Sequence, residues 1–126
     1  MKTLVSVGLI AVIIIVGGLW AYNILDSQSY ELYDDLNNIE KHVYAEDWNN
    51  ASILFNKMNH SWEIKKNTWS IILDHMEIDN ISVNFSELES FLKTQSQDDA
   101  LSKLSVLKQL IRHVPDRESA TLKNVL

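Results

Sequence analysis

Apolar residues follow two regimes along this chain. From Leu4 to Leu25 they form one run without a charged residue, and after Asp26 they recur every three or four positions among polar neighbours. The first regime predicts a helix that wants apolar surroundings on all sides. At about 1.5 Å per residue it reaches roughly 33 Å, enough for the hydrocarbon core of a bilayer. A soluble core helix is a poorer reading, because it is usually shorter and the rest of the chain is too small to cover such a run. A cleaved signal has an apolar stretch of about 7–15 residues and a small-x-small site. Here the stretch is longer, and Leu19-Trp20-Ala21 is badly shaped for cleavage, with Val16-Gly17-Gly18 as the alternative site. Residues 1–25 therefore read as a retained transmembrane anchor and residues 26–126 as a separate domain.

Charge orients the anchor. Lys2 and the terminal amine precede it, whereas Asp26, Glu31, Asp34 and Asp35 follow, with no basic residue before Lys41. Basic residues stay on the cytoplasmic side, so the N-terminus is expected there and the domain on the extracytoplasmic side of the cell membrane. Trp20 and Tyr22 suit the interfacial belt of half-solvated aromatic rings.

The second regime predicts helices. Leu32, Leu36, Ile39 and Val43 give one stripe over about Ser27 to Tyr44, a helix that extends the anchor outward. Glu46-Asp47 supplies a turn and an N-cap, after which Trp48, Ala51, Phe55, Met58 and Trp62 continue the pattern. A break is expected near His60-Ser61, with Ser61 as a new cap. From Trp62 to Lys93 the spacing fits one helix or two, with Asn80-Ile81-Ser82-Val83-Asn84 as the weak point. Gln97-Asp98-Asp99 caps the last helix, striped by Leu101, Leu104, Leu107, Ile111 and Val114 and stopped by Pro115. The tail from Glu118 is read as a further turn docking Leu122, Val125 and Leu126. Acidic caps ahead of a small residue occur twice, at Glu46–Ala51 and at Gln97–Leu101, as in stacked helical hairpins. The fold class expected is all-α: a single transmembrane helix, then a small antiparallel bundle or stack of helical hairpins.

Composition narrows the partners. Without Lys2, 10 of the 11 basic residues remain in the domain against 17 acidic ones, a net charge of −7. Such a surface is unsuited to nucleic acid or anionic lipid, which call for basic patches. There is no cysteine, so disulfides, thiol chemistry and cysteine-ligated zinc are all ruled out. The 3 glycines all lie in the apolar run, too few elsewhere for a β-rich fold.

Candidate chemistry is sparse. In Asp74-His75-Met76-Glu77-Ile78-Asp79-Asn80, His75 and Asp79 are four apart and share a helix face. His113 would join them if the last two long helices pair antiparallel, giving a speculative metal set of His75, Asp79 and His113. The competing reading places both histidines at helix seams. No nucleophile elbow and no glycine-rich phosphate loop is present, so neither an enzyme nor a cofactor is expected. Trp48, Trp62 and Trp69 read first as core, and otherwise as an aromatic groove for a partner helix.

Trp62, Trp69, the block from Leu73 to Ile81, Asp99-Ala100-Leu101 and the ending His113…Leu122-Lys123-Asn124-Val125-Leu126 carry a resemblance. The chain resembles a family of small Gram-positive-type bacterial proteins catalogued as a domain of unknown function. The resemblance implies a membrane anchor with a helical remainder and leaves activity open. It directs interest to His75, Glu77 and Asn124 as seam or interaction residues. The function expected is a membrane-anchored module that binds a membrane or envelope protein, with an extracytoplasmic sensor or a ligand- or metal-binding domain as the alternative.

Overall fold

A computed structural model describes the backbone of residues 1–125 and the side chains of residues 1–118 and Asn124. Among these residues there are four helices and no strand: α1 (Lys2–Tyr44), α2 (Trp48–Ile72), α3 (His75–Lys93) and α4 (Gln97–Val125). Each helix packs on its neighbours in the chain, and α4 closes the ring against α1, whereas α1 and α3 stand on opposite corners with no close backbone approach. This is an antiparallel up-down-up-down bundle.

The apolar run and the first amphipathic stripe form one unbroken helix, as the short joint after Leu25 suggested. α1 is, by length and composition, the helix among the described residues that is able to cross a membrane, and its most apolar stretch packs on nothing. The bundle starts earlier than the sequence boundary at residue 25. Leu25 is fully buried with Ser29, Leu32, Leu36, Ile39 and Val43, and Ala21 and Tyr22 are already half-covered.

The core runs from Leu25 to Val114 in one cluster. Its largest members are Trp62, Trp69, Phe55 and Phe85. Trp62 meets Trp69 edge-on at 5.3 Å between ring centres and Phe85 at 5.5 Å, arrangements that add to simple area burial.

The break expected at His60-Ser61 does not occur, because α2 runs through it and Ser61 spends its hydroxyl accepting a hydrogen bond from Lys65. The chain turns instead at Leu73-Asp74. Leu73 is extended and donates its N–H to the Trp69 carbonyl, and the Asp74 carboxylate accepts from the Met76 N–H to start α3. The Asn80–Asn84 patch holds no break either. Asn84 donates its amide back to the Asn80 carbonyl and accepts from Lys103 on α4, so its buried polar group is satisfied while α3 runs on unbroken.

Pro115 does not end α4, which continues to Val125. A proline inside a helix leaves the carbonyl four residues earlier without its donor. That carbonyl belongs to Ile111, and the hydroxyl of buried Ser29 on α1 donates to it at 2.8 Å. The defect is repaired across the α1–α4 seam. Docking of Leu122, Val125 and Leu126 lies outside the described residues.

The two turns at the opposite end share one design. Glu46 N–H bonds Val43 O and Asp47 N–H bonds His42 O; Gln95 N–H bonds Leu92 O and Ser96 N–H bonds Phe91 O. Both are Schellman closures, whose central residue adopts a left-handed conformation that favours glycine. Here Glu46 (φ 55°) and Gln95 (φ 56°) fill it. The repeat seen in the sequence is therefore real but shifted: Asp47 corresponds to Ser96, which precedes α4, and Ala51 to Ala100. Replacing Glu46 or Gln95 by glycine relieves the left-handed strain, at some cost in unfolded-state freedom. Each variant is expected to gain about 1 kcal/mol or less, read as a raised midpoint in denaturant unfolding of the full chain in micelles.

Candidate functional site

The residues singled out from the sequence are scattered by the fold. His75, Asp79 and His113 are all exposed. His113 faces the α1–α4 groove with Tyr33, Arg112 and Asp116, whereas Glu77 and Asn80 meet α4 on its other side, at Leu110, Val114 and Arg117. Among the described residues no group of three histidine, aspartate or glutamate side chains is placed to hold a metal ion. The metal set is not assembled.

Trp62 and Trp69 line no surface groove. Both are buried, and each indole N–H is satisfied, Trp62 by the Ser82 hydroxyl at 3.4 Å and Trp69 by the Gln28 side chain at 2.7 Å. Trp48 is half-buried against the same core. The aromatic-groove reading is corrected for the first two: their spacing was that of a core stripe. Glu77 pairs with Arg117 across the α3–α4 seam, and Asn124 is exposed.

Polar chemistry concentrates along the seams of α1. On the α4 side, Arg112 donates to the Ser29 hydroxyl at 3.2 Å, lies 3.5 Å from Asp26 and covers the Tyr30 ring at 5.4 Å. One turn away from that cluster, Lys108 bonds Glu40 at 2.8 Å and Asn37 at 3.2 Å, both partners well covered. These cations already hold their counter-charges, so the groove they line is not an open anion site.

On the α2 side, an open cleft of about 440 Å³ is lined by Trp20, Ile24 and Ile64 together with Ser27, Gln28, Glu31, Ser61 and Lys65. Lys65 is largely covered and pairs with Glu31 at 3.1 Å. Further along the same seam a second cleft holds Asp35. Burial pushes the Asp35 carboxyl above its ordinary value of 3.8, Lys65 pulls it down, and the nearby Glu31 and Asp34 push it up. Asp47 is held below 3.8, chiefly by the Asn50 side-chain and backbone donors of its cap. The arrangement offers an amphipathic cleft where α1 leaves the bundle, with the Glu31–Lys65 ion pair on its wall.

The family described as Domain of unknown function (DUF4363) matches residues 19–125. The chain belongs to that family. Its match begins at Leu19, leaving most of the apolar run outside and taking in the turn of α1 that the bundle buries. No curated protein and no solved structure matches the chain. DUF4363 thus corresponds to the bundle itself, from the half-covered Ala21 through α4.

Two outcomes test the seams. Ser29→Ala leaves the Ile111 carbonyl buried without a donor, a loss of about 1–3 kcal/mol. In a Pro115→Ala background the restored N–H takes over, so the same substitution is expected to cost clearly less, a coupling read from a double-mutant cycle in denaturant. For Asp35, the folded state holds its proton more tightly than the unfolded chain, so the ionised group costs stability as pH rises through the raised pKa. Asp35→Asn is expected to raise the thermal midpoint slightly at pH 7. The gain should shrink on acidification and vanish below about 3.8, where both states are protonated.

Proposed function

We propose that this DUF4363 chain is a single-pass membrane protein whose extracytoplasmic bundle serves as a protein-interaction module, with another membrane or envelope protein as its partner. The observation that carries this reading is the contrast within α1. From Leu25 onward its apolar face is sealed in a complete core, whereas Leu4 to Trp20 keeps large side chains such as Leu4, Val12 and Trp20 56–77% exposed. A soluble monomer rarely leaves so large a continuous apolar surface uncovered. Lipid on most of this surface, and a neighbouring helix on part of it, would satisfy it.

Further support comes from charge. Lys2 and the terminal amine precede the span and no basic residue follows it before Lys41, which favours a cytoplasmic N-terminus. The amphipathic cleft around Trp20, Ile24 and Ile64 lies where a partner's membrane-emerging helix would meet it.

The full chain in cells tests this. It is expected to stay in the membrane pellet through alkaline carbonate extraction. A single cysteine placed at exposed Val83 should react with impermeant maleimide from outside. Photo-crosslinkers at Val12, Trp20 and Ile64 should give one discrete adduct with a membrane protein, absent from Val83. Release by carbonate, or labelling only after lysis, would overturn the topology. Absence of any adduct, together with substrate turnover by the purified chain, would overturn the interaction role.

A further inference from the structure

The end of the bundle nearest the apolar run carries exposed apolar residues that no seam explains. Gln28 meets Trp69 and Ser29 meets Ile111. The α2–α3 turn that follows Trp69 therefore lies at the end from which the uncovered length of α1 departs. On either side of that turn stand Ile71, 87% exposed, and Met76, 78% exposed. Among the described residues, every other exposed large apolar side chain of the bundle is better covered, including Ile64 at 62%, Ile53 at 55% and Val83 at 55%. Leu73 and Ile78 beside them turn inward to the core, so Ile71 and Met76 are not needed to close it. Trp20, 61% exposed, sits five residues before buried Leu25 on α1, about 7–8 Å along the helix.

We infer that Ile71 and Met76 are a lipid-contacting rim that brings this end of the bundle against the outer leaflet, beside the last turns of α4, which run on past the Arg117–Glu77 contact to Val125. The inference rests on the membrane reading above and adds a second contact to it. Continuity selects a lipid surface as the occupant. α1 has no break between its uncovered length and the bundle, so the rim is held at a fixed height next to the point where the helix leaves the membrane. Side chains at the headgroup–acyl boundary gain from apolar burial while the polar residues around them stay wet. The neighbours fit that division: Ser70, Asp74 and His75 are exposed and polar. Glu77 is neutralised by Arg117, and the remaining acidic groups near the turn, Asp74 and Asp79, favour an apolar contact with zwitterionic lipid over attraction to an anionic surface.

The absence of cysteine makes the test direct. Single cysteines at Ile71, Met76, Ile53, Val83 and Val12 of the full chain are labelled with an environment-sensitive fluorophore and placed in phosphatidylcholine nanodiscs. All five positions are exposed, so labelling leaves the core intact, and helicity by circular dichroism verifies each variant. Ile71 and Met76 are expected to show blue-shifted emission, quenching by nitroxide-bearing lipid and protection from aqueous iodide. Ile53 and Val83 should show none of these. If residue 12 is lipid-quenched but 71 and 76 are as open to iodide as 53, the rim is overturned and the anchor stands. Lipid quenching absent at residue 12 as well overturns both. Equal quenching at 53, 83, 71 and 76 overturns the rim in favour of a bundle lying flat.

Discussion

A single helix ties the molecule together. α1 is 43 residues long, and it serves both as one wall of the bundle and as the uncovered apolar rod beyond it. Its bundle half receives α2 on one side and α4 on the other, and α3 completes the ring from the opposite corner. The position of each remaining helix is thereby referred to α1. Because α helices are stiff over such lengths, the direction of the apolar rod and the direction of the bundle are one quantity, not two joined by a linker. The burial of Leu25 and Ser29 makes the joint firm. The core begins inside the apolar run, so the residues that leave the bundle are held by packing.

Without disulfides, the bundle keeps its register through polar groups that cross between helices. Ser29 supplies the donor that Pro115 removes, Asn84 accepts from Lys103, and Gln97 donates to the Val43 carbonyl at 3.1 Å. The first and last join α1 to α4, far apart in sequence, and the second ties the consecutive helices α3 and α4; Ser29 in addition satisfies a carbonyl that Pro115 would otherwise leave unpaired. Apolar packing alone tolerates sliding by a turn. A serine that has to meet one particular carbonyl does not. Local irregularities and long-range specificity thus have a common origin here: a departure from ideal helix on one strand of the bundle is matched by a polar side chain on its neighbour.

Helical content, the core stripes and the turn at Glu46-Asp47 were all legible in the sequence, because apolar spacing and caps act over a few residues. The second break was legible in principle. Asp74 and Glu77 stand three apart just before Ile78 and Ile81, the signature of a helix start, whereas Ser61 has Ile64 three residues on and no such partner. Pro115 was misread for a different reason. Its cost is offset by Ser29 from the far end of the chain, and no local pattern reveals that. The left-handed Glu46 and Gln95 were hidden because a glycine would have announced the turn and none is present. Candidate sites fared worst. Spacing fixes which residues share a helix face, as His75 and Asp79 do, whereas the facing of His113 depends on how α4 rotates against α3, which only packing decides.

The glycines of α1 bear on how its two halves communicate. Glycine costs a helix interior about 1 kcal/mol relative to alanine, so its presence calls for a reason. A Cβ at Gly8 or Gly17 would meet nothing within 4 Å in this chain, so packing within the monomer does not demand either. Gly17 and Gly18 lie just beyond the point where the bundle ceases to cover α1. α1 stays helical through both, so they lower the helix propensity of the joint without breaking the single direction that rod and bundle share.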